Sequence, residues 1–507
     1  MSSSPVETRP RKPYAELLSR NGVFWLCAAV FFLITVARCW NNLPSCDEGW
    51  FFDPIYNWIT NGHTGISVIE SRGFPWEGIE RYQFWQPPFY MVLYLGWVKL
   101  AGQSIMAFRG LSVVAGLFVL LWWYLLLRKF EVPPPVRSLA MVLIAIDYPL
   151  GRAGSNGRMD LPAAALGLGA VTAYLLLRER RFTWAIILSQ TLVVCGGLTH
   201  PMGGLPYIAL LTYFFVTYRD YRRIRWFHVA IAATPYIAGA IGWGLYIAND
   251  PELFRKVFWG SNAAGRVNGL NLFATTKSEI LGRYLMPFGL NATSLALRSR
   301  LLIPVAYLGA AAAVWLTPAV RRLPFLRPFL AMWSIVFLTL MFFDSLRNGV
   351  YLGHITPLYE IFMATIAWWL WTSVRWSRSL LLAVGLAVFT LQFGGSLYLI
   401  FTSPYRTQYL PMIDFVRTHA KADDRIVVSA EGGYGLGFDR IHDDIALGYY
   451  VDKKPDVIII DDRYWVYIQG NRTKDPRLYA FLRERLAGYS VGFRNSAYEV
   501  YLAPDRL

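Results

Sequence analysis

Long apolar runs separated by short basic clusters dominate this 507-residue chain. Runs at 22–37, 106–127, 138–150, 161–177, 182–198, 204–218, 226–248, 301–316, 325–343, 355–371 and 380–401 are nearly free of charge. They predict about eleven membrane-spanning helices. Another run at 87–100 holds only about 14 residues, short of the roughly 20 that a bilayer requires. If it crossed, Arg128, Lys129 and Arg137 would lie outside, so it is read as a helix in the outer interface. The clusters at Arg178–Arg181, Arg219–Arg225, Arg321–Arg327 and Arg375–Arg378 then all fall in the cytoplasm. So does the basic N-terminal tail with Arg9, Arg11 and Lys12. An odd number of spans leaves the C-terminal segment outside, on the face of the loop that follows the first span.

From residue 404 the pattern changes. Ile426-Val427-Val428, Val457-Ile458-Ile459-Ile460 and 498–502 read as strands, and 476–486 as a helix. The expected fold class is therefore a polytopic α-helical membrane protein with a small C-terminal soluble α/β domain. Residues 1–403 form the membrane domain, with its first outer loop at 39–105, and 404–507 the soluble domain. The run Gly432-Gly433-Tyr434-Gly435-Leu436-Gly437 lacks dinucleotide-binding spacing and has no clear helix after it, so it reads as a flexible loop. No internal repeat is evident.

Composition agrees: 55% of residues are hydrophobic and 16% charged, against about a quarter charged in ordinary soluble domains. The net charge of +16 is accounted for by cytoplasmic loops, so no nucleic-acid partner is implied. The first apolar run has no small-residue cleavage site and is read as a retained anchor. Cys39 and Cys46 lie close enough in sequence to pair outside, but isolated thiols are the favoured reading.

Unusual polar residues near the membrane fall on one side. The loop after the first span carries Ser45-Cys46-Asp47-Glu48-Gly49-Trp50, with adjacent carboxylates beside a membrane exit. Asp47 and Glu48 are the candidate catalytic acids, with Asp47 as general base. Arg158, Arg347, His354, Lys277 and Arg283 could hold an anionic group; Asp160, Gln86, Tyr90 and Glu360 are candidates for substrate contact or support. Structural readings stand beside these. Asp47 and Glu48 could cap the next helix, and Asp160 before Leu161-Pro162 could be an N-cap. Arg158 could simply pair with Asp160, His200 could be a turn residue, and Lys277 and Arg283 could be solvated. Asp147 and Glu360 lie inside spans and are expected to pair with a site cation. Trp50, Phe51, Trp58, Trp76 and Trp85 could stack on sugars, although an interfacial aromatic belt explains most of them.

The order of Asp47-Glu48, Gln86-Pro87-Pro88-Phe89-Tyr90, Gly157-Arg158-Met159-Asp160 and His354-Ile355-Thr356-Pro357-Leu358-Tyr359 resembles the GT-C superfamily of glycosyltransferases. The branch it is most similar to contains the protein O-mannosyltransferases and the lipid A aminoarabinose transferases. Relatives often carry His or Lys before the Pro pair, where this chain has Trp85-Gln86. The resemblance implies inverting transfer from a polyprenyl-phosphate sugar to a glycan, lipid or protein acceptor at the outer face, with membrane lipids as further partners. It carries no expectation of a required metal cofactor, and the expected address is a bacterial plasma membrane. The competing reading is a secondary transporter with an outer soluble domain. Its charges should then sit near the bilayer midplane.

Overall fold

The computed structural model describes residues 13–263, 266, 271–374 and 377–504. Arg9, Arg11, Lys12 and Arg375 of the predicted cytoplasmic clusters lie outside them. In chain order the first helices are α1 (Pro13–Asn41), α2 (Cys46–Thr60), α3 (Phe89–Ala101), α4 (Ile105–Lys129) and α5 (Pro134–Ile146). They are followed by α6 (Tyr148–Gly154), α7 (Asp160–Leu177), α8 (Phe182–Thr199), α9 (Pro201–Thr217) and α10 (Trp226–Ile247). Leu302–Leu316, Arg327–Phe343, Thr356–Ser373 and Ser377–Thr402 continue the bundle. Each predicted apolar run is thus helical.

Among the described residues, 8 helical stretches are long and apolar enough to cross a membrane; α3, α5 and α9 are apolar but shorter. The predicted span at 138–150 is broken in two. Pro149 cannot continue a helix from α5, and Asp147 instead caps α6, accepting from the Leu150 N–H at 2.7 Å. At 13 residues, α3 is about 20 Å long, in keeping with a helix that does not cross. Small residues bring α7, α8 and α9 into backbone contact. A Cβ on Gly203 would lie 2.5 Å from the carbonyl oxygen of Gly196, so only glycine permits this approach.

The C-terminal segment forms a five-stranded sheet of order β2-β1-β3-β5-β4. Its strands are β1 (Ile426–Val427), β2 (Ile441–His442), β3 (Val457–Ile460), β4 (Ser490–Arg494) and β5 (Glu499–Leu502). β1 runs parallel to β2 and β3, while β5 is antiparallel to β3 and β4. The expected strands are β1, β3 and β5. β2 is two residues long, and β4 is an edge strand with exposed Val491, so neither carries a buried apolar run to reveal it. Between β1 and β2, the glycine-rich run is not a flexible loop: it winds into two short helical turns packed on α2. Gly49 in α2 lies so close that an added Cβ would sit 2.4 Å from the Ala430 carbonyl carbon.

The first outer loop and this domain share one apolar core, which includes Phe52, Ile66, Val68, Tyr90, Ile413 and Phe438. The Asp443 N–H donates to the Val68 carbonyl at 2.6 Å, and the Glu70 N–H donates to the Asp443 carbonyl at 3.2 Å. The domain therefore sits on the same side of the bundle as α2. All four cysteines are free thiols.

Candidate active site

The site begins with a buried ion pair. Glu48, in the first turn of α2, is completely buried, as is Arg109 of α4. Their contacts are bidentate, Nε to Oε1 at 2.6 Å and Nη2 to Oε2 at 2.8 Å. The Ser45 N–H donates to Glu48 Oε2 at 3.0 Å, closing the helix start. The Gly157 N–H donates to Oε1 at 2.7 Å. Arg109 also donates to the carbonyls of Cys39, Asn42 and Leu43, which fixes the end of α1. One buried pair thus joins α1, α2, α4 and the turn before α7.

Its neighbours in sequence meet as a result. Asp47 precedes Glu48, Arg158 follows Gly157, and the two side chains form an ion pair. Arg158 also donates from Nε to Asp160 Oδ2 at 2.7 Å. Asp160 opens α7 without capping it, and its Oδ1 has no hydrogen-bond partner. The Asp47 side chain is 32% exposed, whereas those of Arg158 and Asp160 are 10% and 5% exposed. A reachable carboxylate beside a guanidinium is suited to take a proton next to an anionic leaving group. Glu48 is not reachable. Its expected catalytic role is corrected to a positioning one, because both its oxygens are consumed by Arg109, Ser45 and Gly157.

Beside this triad runs a narrow cleft lined by Tyr148, Arg152, Asn156, Arg158, Asp160, Phe288, Val350 and other residues. Arg152 is exposed at the cleft. Behind Tyr148 lies Arg38 of α1, 1% exposed. It donates to Ser396 Oγ at 3.1 Å and stacks 4.9 Å over the Tyr148 ring, with no partner on Nε. Arg38 has no carboxylate partner among the described residues. Arg38 had no signal beyond its place at the end of the first span, where a snorkelling cation is ordinary. Arg152 stood in the sequence as one of several outer-turn cations.

His354 is buried near Asp160, with Nδ1 3.0 Å from the Tyr207 hydroxyl and no partner on Nε2. Burial holds its pKa down at about 4, so at neutral pH it carries no charge. His200 caps α9, accepting from the Met202 N–H at 3.2 Å, and meets the Tyr351 hydroxyl at 3.2 Å.

The other expected phosphate ligands are placed differently. Arg283 is fully buried and pairs with Glu279 and Asp344. Arg347 pairs with Glu279 at 3.0 Å and donates to the carbonyls of Met341 and Asp344. Arg266, unremarked in the sequence, joins this cluster through Asp344 at 3.2 Å and the Tyr351 hydroxyl at 3.4 Å. Arg283 and Arg347 are thus engaged by the protein itself. Lys277 is exposed on the short helix Leu272–Glu279. Gln86 and Tyr90 are buried at the start of α3, with the Tyr90 ring edge-on to Phe51 at 5.9 Å.

The expectation that Asp147 and Glu360 pair with a site cation is also corrected. Asp147 accepts from the Tyr307 hydroxyl at 2.5 Å and Thr356 at 2.9 Å, and Glu360 accepts from Gln392 at 2.8 Å. Neutral donors from three helices meet them instead, and Glu360 Oε2 keeps no hydrogen-bond partner. Among the described residues, no three His, Cys, Asp or Glu side chains are grouped to hold a metal ion.

Solved structures share this architecture. ArnT from Cupriavidus metallidurans bound to undecaprenyl phosphate is 15% identical with a TM-score of 0.56, covering 96% of this chain and 98% of that one. The chain therefore has the GT-C fold. The Archaeoglobus fulgidus oligosaccharyltransferase tethered with an acceptor peptide containing the NVT sequon is 12% identical, with a TM-score of 0.54 over 97% of this chain and 74% of that one. The archaeal oligosaccharyltransferase AglB from the same organism, in complex with an inhibitory peptide and a dolichol-phosphate, is 13% identical, with a TM-score of 0.50 over 97% and 75%. No family model and no curated protein matches the chain.

Proposed function

We propose that this GT-C chain is an integral-membrane glycosyltransferase that moves a sugar from a polyprenyl-phosphate donor to an acceptor hydroxyl at the outer face of the membrane. The observation that carries this reading is the partly exposed Asp47 paired to Arg158 on the rim of the Arg152–Asp160 cleft. The acceptor oxygen attacks the anomeric carbon from the face opposite the phosphate. The bond from that carbon to the phosphate oxygen breaks, and polyprenyl phosphate departs with the electron pair. The acceptor proton passes to the Asp47 carboxylate, and the anomeric configuration inverts.

Arg158 serves both partners. Without donor it holds Asp47 in place; a donor phosphate competes for the same guanidinium and leaves Asp47 more basic as the reaction starts. Arg152 at the cleft and Arg38 behind it supply further positive charge, and His354 supplies a neutral N–H. Asp160 keeps Arg158 extended into the cleft. The neighbouring structures, which hold undecaprenyl phosphate or dolichol-phosphate by their descriptions, support a lipid-phosphate carrier.

The test is Asp47→Asn in full-length protein, supplied with lipid-linked sugars extracted from the source membranes. Turnover to free polyprenyl phosphate should nearly cease while the variant still inserts and retains lipid. Undiminished transfer would remove the proposed base. A transporter reading has one observation in its favour, the buried acids Asp147 and Glu360 within the bundle. Glu360→Gln protein that transfers sugar normally sets that reading aside.

A further inference from the structure

Three tryptophans of the first outer loop gather in one place. Trp50 on α2 and Phe74, Trp76 and Trp85 on the loop before α3 converge with Asp443 and Arg463 of the C-terminal domain around a cavity of about 230 Å³. The rings stand as walls at different angles. Phe74 and Trp76 lie parallel, with centroids 4.9 Å apart and planes 7° apart. Trp85 is edge-on both to Trp76, at 6.0 Å and 70°, and to Trp50, at 5.5 Å and 65°.

One end of the cavity is polar and braced. Asp443 is 4% exposed and accepts from Trp50 Nε1 at 2.8 Å, the Ala430 N–H at 3.2 Å and the Tyr464 hydroxyl at 3.1 Å, and it pairs with Arg463. That saturation makes Asp443 an anchor rather than a ligand. It fixes Arg463, whose side chain remains 25% exposed and stacks 5.0 Å over Trp50. The indole N–H of Trp76 in the same wall is buried and has no acceptor. Glu70, also lining the cavity, supplies an acceptor and is matched by Arg72. The ion pairs balance, so no net charge calls for an ionic ligand.

A pyranose ring has the complementary chemistry. Its C–H faces are apolar and flat enough for aromatic walls, and its rim of hydroxyls suits guanidinium, indole N–H and carboxylate groups. Trp50 follows Asp47 by three residues on one helix, which puts their side chains next to each other on the same face. A sugar in the cavity would then lie roughly one helical turn, about 5 Å along the axis, from the proposed base. We infer that this cavity is a carbohydrate subsite that takes a neutral pyranose residue of a glycan acceptor. Naming that glycan as the acceptor rests on the transferase reading; the binding itself does not.

The test applies full-length protein in nanodiscs to an array of neutral oligosaccharides built on glucose, mannose, galactose and N-acetylglucosamine. Wild type and Asp47→Asn should retain the same glycans. Trp76→Ala and Arg463→Gln should weaken retention at least ten-fold, and Glu484→Ala on the helix Pro476–Ala487, which does not line the cavity, should leave it unchanged. In wild-type protein, which removes any concern over misfolding, a photoreactive form of the best array glycan should crosslink within 70–85 or 443–467. No retained neutral glycan, wild-type retention by Trp76→Ala, or a crosslink elsewhere overturns the subsite. Glycan binding that survives while wild-type protein transfers no sugar from any lipid-linked donor would instead sink the transferase reading and leave the subsite standing.

Discussion

Two clusters of acids and guanidiniums stand on the same rim of the bundle, and they are built to different ends. Around Glu279 and Asp344, the side chains of Arg283 and both acids are sealed at 0% exposure. Arg347 is held there even though its backbone sits at φ 53°, a left-handed conformation costly for a residue with a Cβ. Around Arg158, by contrast, Asp47 is 32% exposed and Asp160 keeps an unpartnered oxygen. The residue types are the same. What separates them is saturation: a cluster whose groups are all consumed internally holds the fold, and one left incomplete has capacity for a substrate.

The largest expected effect tests the open cluster. Asp47→Asn should lower transfer by on the order of 10³-fold, the middle of the range for a lost general base, with melting temperature unchanged. Arg158→Gln should follow at about 10²-fold in kcat, measured with lipid-linked sugar in excess, because a phosphate contact present in the transition state is lost. The sealed cluster should answer in a different quantity. Arg283→Met leaves Glu279 and Asp344 buried with less compensation and should cost about 3–5 kcal/mol in stability, read as lost folded yield in detergent. If Arg283→Met instead folded normally and lost only turnover, the division between the clusters would fail.

A smaller effect concerns pH. Burial pushes the Asp53 carboxyl up to about 7, against hydrogen bonds from Val68 and Ser67 that pull it down. The folded protein therefore binds a proton at Asp53 that the unfolded chain has released. That contribution to stability is full below the ordinary value of 3.8 and is lost as pH rises through about 7. Melting temperature followed from pH 5 to 8 should fall less steeply in Asp53→Asn than in wild type. The smallest expected effect is at Lys277, exposed outside the cleft: Lys277→Ala should change transfer less than about two-fold, in line with an ordinary solvated side chain.

Much of the helical framework was legible because its signal is local. A run of apolar residues long enough to cross a bilayer has few alternatives to a helix. The break at Asp147-Tyr148-Pro149 has its local signal in Pro149, although the apolar run around it reads as an unbroken span. Site legibility was uneven for a physical reason. Asp47, Arg158 and Asp160 meet in the fold, but nothing local distinguishes Glu48 from Asp47. The facing Arg109, 61 positions away, and the Gly157 N–H, 109 positions away, engage Glu48 only in the folded chain. Arg283 has one local partner, Glu279 four residues before it, but the fold brings Asp344 to Arg283 and Glu279 to Arg347.

The sequence by itself determined a membrane helix bundle, an α/β tail and the ordered motifs that resemble GT-C enzymes, since each rests on short-range periodicity or on neighbouring residues. Only the tertiary structure decided which charges remain available and that the loop tryptophans close on Arg463. Availability is what is left after every distant partner has been counted, and burial of one group by another appears only when the chain is folded.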